Sequence, residues 1–212
     1  MKIHHDLEQW TTEWLEIRKG RVTGTKLKWV AGWPKAQLTE MYTLLSEKYI
    51  VEEEMSARDI ILRGHELEPV AKLFYEDFTW YKVEEVGFIT KDDLMALSPD
   101  WIIQDTVTGK YTRAVEIKCP RGKNFVKYVL EGVVPDEYIY QITQYFLVMD
   151  DLEELDMVFF NPDAVNWLEK FHMITVKRAD MAEHMAKADD KLIEFKQQLN
   201  SLEKKLWTNK NT

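Results

Sequence analysis

One cysteine, Cys119, stands among 212 residues, so no disulfide can close within the chain. That usage suits a reducing cytoplasm. No apolar run approaches the ~18 residues a membrane helix needs, so no membrane partner is expected. The opening MKIHHDLEQW carries acids and lacks the basic start and apolar centre of a signal peptide. Positive charge is scarce: 28 Lys and Arg face 37 Asp and Glu, a formal net charge of -9. Taken alone, this balance disfavours a nucleic-acid partner, because phosphate binding needs cations. A local basic surface, or carboxylates that await a metal ion, would reverse the inference. The histidines are scattered, with His65 beside Glu66 but no second histidine at metal-binding spacing, which argues against zinc. The isolation of Cys119 argues against an iron–sulfur cluster, and its place after Lys118 on an apolar strand face suggests a small buried hydrophobe.

What is present describes a folded chain. Hydrophobic residues make up 45% and aromatics 12%, and the length suits one domain with a real core. The expected organisation is a single unit over 1–212, with a helical N-terminal part (1–50), a core (51–178) and a C-terminal helix (179–207). Apolar spacing predicts a helix through DLEQWTTEWLEIRKG and a short one after Thr23. A third covers LTEMYTLLSEKYI, and a long fourth runs through SARDIILRGHELEPVAKLFYEDF, capped by Ser56 and kinked or divided at Pro69. The period then changes. WYKVEEVGFIT, DLMALSPDWII and TRAVEIKCP read as strands, with a turn at TVTGKY between the last two. Helices through GKNFVKYVLEG and PDEYIYQITQYFLVM follow, then strands LDMVFFNPD and KFHMITVKR, then one polar helix. The predicted fold class is α/β: a small mixed sheet flanked by helices, with a long C-terminal helix. Trp10, Trp14, Trp29 and Trp33 could form core, an aromatic wedge at a DNA end or a subunit interface, and core is the expectation for most of them.

Alternate residues of a strand share a face. In AVEIKC, Glu116 and Lys118 lie on one side, and Val115, Ile117 and Cys119 on the other. Asp100 follows Pro99, which has no backbone donor and marks strand ends. If the two strands pair through the 106–110 turn, Asp100 and Glu116 meet. Two adjacent carboxylates repel and need a cation between them. Mg²⁺ accepts one or two carboxylates plus waters and phosphate oxygens. Lys118 could then orient a water or stabilise charge developing at phosphorus. Glu-Ile-Lys alone describes a solvated strand face, and Pro-Asp alone describes a turn. Their combination across a hairpin-sized gap is more specific.

Pro99-Asp100 followed by Glu116-Ile117-Lys118 matches the PD-(D/E)XK nuclease signature. The strings WLEIRKGRVTGTKL, GHELEPVAKLF, SPDW, VEIKCP and YQITQYFLV, in that order, resemble the lambda exonuclease or YqaJ-type viral recombinase family over about residues 10–163. The resemblance implies a PD-(D/E)XK nuclease-like core and a Mg²⁺ (or Mn²⁺) ion held by Asp100, Glu116, the Ile117 backbone carbonyl and an acid of the preceding helix. Glu68 best matches that acid, with Glu66 its competitor. Lys118 would serve the attacking water. The family carries glutamines spaced Q-X-Q, where this chain has Gln141 and Gln144 three apart; Gln141 is favoured as the active-site amide. Arg18, Thr25 and Ser98 match binders of a terminal 5′-phosphate, and Arg121, Lys123 and Lys127 suit the DNA backbone.

The implied activity is 5′ to 3′ digestion of one strand of linear double-stranded DNA from a phosphorylated end, leaving a 3′ overhang for annealing. The implied setting is a bacterial host cell, the protein being phage or prophage encoded. A ring-shaped trimer and a single-strand annealing protein are the implied partners. Two other readings remain at this stage: a restriction or repair endonuclease of the same superfamily, and an inactive DNA-binding relative. The helix over 179–207 lies outside the resemblance. It could pack on the core, join subunits or dock a partner, and packing on the core is the favoured expectation.

Overall fold

The structure, a computed structural model, describes residues 1–50, 58–165 and 170–208, with the side chains of 58–65 left out. Among these residues, no helix is long and apolar enough to cross a membrane. The Ser56 cap and the His65 side chain lie outside the described residues.

A four-stranded mixed sheet forms the centre, in the order β4 (Trp101–Gln104), β5 (Tyr111–Lys118), β6 (Glu154–Phe160) and β7 (Phe171–Lys177). β4 and β5 form the expected antiparallel hairpin, with Trp101 opposite Val115. β5 and β6 are parallel. Parallel neighbours need a crossover, and α5 (Gly122–Glu131) and α6 (Ile139–Val148) supply it. Both faces of the sheet are covered. On one, Val115, Ile117, Trp101, Ile103 and Val158 pack against Ala71 and Tyr75 of α4 (Arg58–Thr79). On the other, Ala114, Met157 and Phe159 pack against Ile142, Tyr145 and Phe146 of α6. The face bearing Glu116 is therefore buried beneath a helix, and is not the solvated side that Glu-X-Lys alternation alone suggests.

The C-terminal helix, α7 (Ala182–Thr208), follows a 3₁₀ turn at Arg178–Met181 and buries Ala188, Leu192 and Phe195 in the same core as α6. Their spacing of four, three and then four to Leu199 is a helical stripe. Core packing, of the three roles considered for this helix, is the one seen.

Five elements depart from expectation. The first helix is short, α1 (Thr12–Arg18), with Thr11 as its cap accepting from the Trp14 N–H at 3.3 Å. Ahead of it, β1 (Lys2–His4) pairs with β2 (Phe88–Thr90). Helical spacing near the N-terminus carried no information about a partner more than eighty residues away. The predicted strand over 80–90 shrinks to β2, and that over 93–103 divides. β3 (Ala96–Leu97) joins β1 and β2 in a three-stranded sheet, whereas β4 joins the central one. Ser98, Pro99 and Asp100 bridge the two sheets. α4 runs as one helix through Pro69, which is exposed on its surface. Of the four tryptophans, most of them expected in the core, only Trp14 is buried; Trp10, Trp29 and Trp33 are exposed. Cys119 is half-buried against the α4-side cluster. The remaining helices of the N-terminal half, α2 (Leu27–Val30) and α3 (Pro34–Tyr49), complete the layer beside α6 and α7. Pro34 opens α3 at a position where a missing N–H costs nothing.

Candidate active site

Extending the β4–β5 register by one residue beyond Trp101–Val115 sets Asp100 opposite Glu116 at the strand ends. The Ile117 N–H donates to Asp100 Oδ2 at 2.6 Å, fixing the aspartate to the strand that carries the glutamate. Glu116 is buried at 3% exposure, a position a carboxylate holds only when well supplied with donors. Three converge on it. Lys118, two residues along the same face, donates its ammonium to Oε1. Gln141 Nε2 donates to the same oxygen at 2.6 Å. The Tyr145 hydroxyl donates to Oε2 and accepts the Asp100 backbone N–H.

Asp100 is less well provided. Burial, then the Glu116 charge, push its carboxyl well above the ordinary range; Glu68 adds to this, and Lys118 and the Ile117 N–H only partly counter it. Burial lowers the Lys118 amine, but the charges of Glu116 and Asp100 outweigh it and leave the ammonium favoured. Burial and the Glu116 charge keep Tyr145 protonated far above the usual phenol range. The site thus holds two acids, one cation and two neutral donors.

A cleft of about 350 Å³ opens beside Asp100. Glu68 lines it from α4; Glu66 is exposed and does not. The opposite wall is the segment from His5 to Trp10. Gln9 pins that wall by donating to the carbonyls of Pro99 at 2.9 Å and Val86 at 3.2 Å. Gly87 has to be glycine here, since a Cβ would stand 1.8 Å from the Leu7 carbonyl oxygen.

The donor chemistry suits a hard divalent ion. Among the described residues no three His, Cys, Asp or Glu side chains form a ready cage. Two carboxylates at a strand end, with waters and a substrate oxygen, nonetheless satisfy Mg²⁺. A cation would also offset the burial and the Glu116 repulsion that hold the Asp100 carboxyl up.

Comparison with known proteins gives a match to the YqaJ-like viral recombinase domain model over residues 13–151, more than half of the chain. The chain belongs to this family. No curated protein sequence matches it. Among solved structures, the alkaline exonuclease LHK-Exo from Laribacter hongkongensis is 26% identical, with a TM-score of 0.74, covering 93% of this chain and 99% of its own. Its complex with dAMP superposes with a TM-score of 0.75 at the same identity and coverage. A phage-related exonuclease from Haemophilus somnus 129PT shares the fold at 13% identity and a TM-score of 0.59, covering 85% of this chain and 95% of its own. The architecture of this YqaJ-like chain is therefore the PD-(D/E)XK exonuclease type.

The other sequence-derived residues are distributed unevenly. Arg18 Nη1 donates at 2.9 Å to Oγ of Ser98, which lies two residues of chain before Asp100, and its guanidinium lies 4.0 Å from the Trp14 ring centre. Thr25 is exposed on the 3₁₀ turn Gly24–Lys26. Gln144, the competitor of Gln141, is fully buried and points elsewhere: its amide clamps the carbonyls of Val22 at 2.7 Å and Ala96 at 2.6 Å. Arg121, Lys123 and Lys127 are exposed at and along α5, with Lys127 3.8 Å from Glu131. Two site residues escaped sequence reasoning. Tyr145 lies four beyond Gln141, so both project from one face of α6, and that spacing was a usable signal. Gln9 gave none, because its partners are distant backbone carbonyls.

Proposed function

We propose that this family member is a metal-dependent exonuclease that digests one strand of linear double-stranded DNA from a 5′-phosphorylated end. Nucleotides would leave in the 5′ to 3′ direction, and the 3′ overhang would serve strand-annealing recombination. The observation that carries the reading is the convergence of Asp100, Glu116, Lys118 and Gln141 at one sheet rim beside an open cleft.

Asp100, Glu116 and the Ile117 carbonyl, with Glu68 across the cleft, would hold Mg²⁺ or Mn²⁺, which when bound lowers the pKa of water and neutralises phosphate charge. Lys118 keeps its proton between the two acids and so acts as a fixed positive charge near the phosphate under attack. Gln141 and Tyr145 orient Glu116. Arg18, steadied by Trp14 and Ser98, is suited to a terminal phosphate by its fork of donors, with Thr25 nearby in sequence. Arg121, Lys123 and Lys127 would follow the duplex backbone. The relative's dAMP complex agrees with release of mononucleotides. By family resemblance the reading extends to one nuclease domain over 1–212, a ring trimer, an annealing-protein partner and a phage or prophage protein at work in the bacterial cytoplasm.

The test is incubation with Mg²⁺ and three substrates: linear duplex with 5′-phosphate, linear duplex with 5′-hydroxyl, and closed circular plasmid. Mononucleotides are expected from the first, far fewer from the second and none from the third. Cleavage of the circle would establish an endonuclease instead. No cleavage of any substrate, with Mg²⁺ or Mn²⁺, would leave an inactive DNA-binding relative.

A further inference from the structure

The Trp10 backbone is strained. Its φ is 70°, a left-handed conformation that glycine adopts freely and a bulky residue avoids. Among the described residues, only Trp80 is a second non-glycine of this kind. Such outliers persist where the surroundings over-determine them, and they gather at ligand sites.

The surroundings here are specific. Gln9, the preceding residue, is tied by its side chain to the Pro99 carbonyl at 2.9 Å, so position 10 is fixed relative to Asp100. The Trp10 indole meets Trp14 at 5.0 Å between centroids with a 44° tilt. Trp14 is buried at 4% exposure, whereas Trp10 is 44% exposed. On its other contact, Trp14 carries the Arg18 guanidinium at 4.0 Å. One buried indole thus orients both the proposed phosphate reader and an exposed aromatic surface. That surface lines the 350 Å³ cleft together with Asp100 and Glu68, a volume within the range of small-molecule sites.

Charge decides which part of a nucleotide could enter. The wall near Trp10 also bears Asp6, Glu8 and Glu85. These acids repel phosphate and leave a neutral base as the acceptable group. Aromatic side chains hold bases by stacking, regardless of sequence.

We propose that Trp10 is the platform on which the base of the terminal nucleotide stacks while its phosphate is held at the Asp100–Arg18 side. The inference rests on the exonuclease reading and assigns a substrate-binding role to a residue outside the signature motif.

The test is calorimetric titration of the purified protein, with Mg²⁺ present, using dAMP and 2-deoxyribose 5-phosphate, which lacks the base. The parent should bind dAMP roughly 5- to 100-fold more tightly. Trp10→Ala should bring the two affinities to within about twofold, and Trp10→Phe should retain most of the preference. Trp10→Gly, which relieves the left-handed φ, should lose the preference as Trp10→Ala does while circular dichroism shows the fold retained. Equal affinities in the parent overturn the proposal. So does a base preference that survives in both Trp10→Ala and Trp10→Gly. A parent that digests linear DNA but shows no base preference sinks this inference alone; a parent that digests no DNA sinks the exonuclease reading.

Discussion

Asp100→Asn, measured in the presence of a chelator, is expected to stabilise the protein while abolishing hydrolysis. Burial, and then the Glu116 charge, hold the Asp100 carboxyl well above its ordinary range. A carboxyl raised in this way ionises more readily in the unfolded chain. Its stabilising effect is full at low pH and is lost as pH climbs from about 3.9, the unfolded value, through the folded one. Asparagine suffers no such loss, and its amide oxygen can still accept the Ile117 N–H, which in the parent lies 2.6 Å from Oδ2. Two like charges 4 Å apart repel by about 4 kcal/mol at an effective dielectric constant near 20. The Lys118 ammonium offsets much of this, and asparagine forgoes that attraction. A net gain of about 1–2 kcal/mol remains, typical of neutralising a strained functional group. For a chain of this size that is a rise of about 2–8 °C in Tm. The assay is thermal unfolding followed by circular dichroism from pH 4 to 9 in EDTA. The gap between the variant and the parent should be near zero at pH 4 and grow with pH. A gap independent of pH, or a parent more stable than the variant at pH 8, refutes this account of the site.

Lys118→Ala should lower the rate on linear duplex by about 100-fold or more with an unchanged circular dichroism spectrum; a rate within threefold of the parent would remove Lys118 from the catalytic group. Gln141→Ala should cut kcat by about 10- to 100-fold and also lower Tm, because the buried Glu116 carboxylate loses a donor. Gln144→Ala should lower Tm by untying the Val22 and Ala96 carbonyls while kcat stays within about threefold of the parent; interchanged effects on kcat would interchange the roles. Arg113→Ala should destabilise by about 3–5 kcal/mol in urea titration. It strips the partner from Asp156, which is fully buried and bonded to Arg113 at 2.8 Å and 2.9 Å.

The elements with strong local periods were legible: the β4–β5 hairpin, α5, α6, β6, β7 and α7 all lie where spacing put them, to within a few residues. The pairings that depend on distant chain were not. β1 finds its partner in β2, and the switch between sheets at Ser98–Asp100 turns on which neighbour each strand meets. The tryptophans failed for a related reason. Composition says that a large apolar side chain gains by burial, but Trp29 sits on the outer side of the short helix α2, whose inner side is filled by Leu27 and Val30, and Trp33 stands exposed at the N-cap of α3. In the site, the triad of Asp100, Glu116 and Lys118 could be named from sequence because a strand period and a turn fix their relative places. Asp156 could not be distinguished from a surface acid. Its partners Tyr75, Arg113 and Thr175 come from three different elements, and no local pattern joins them.

The two acids of the site differ in a way that bears on its chemistry. Glu116 accepts from Lys118, Gln141 and Tyr145, so its charge is well compensated within the protein. Asp100 receives the Ile117 N–H and faces two negative neighbours. Glu116 is buried between sheet and helix and Asp100 is partly buried at its edge, where charge effects are stronger than in water. A polypeptide selected for stability alone would resolve this by placing an amide at position 100. Retaining an under-compensated carboxylate at the mouth of a cleft sacrifices stability, and conflicts of this kind concentrate at functional sites. The deficit is one of positive charge and of oxygen-seeking character, at the one carboxylate of the pair that borders the cleft. Under the exonuclease reading proposed above, a divalent cation arriving with a substrate phosphate would supply both, and Asp100 is where it would gain most.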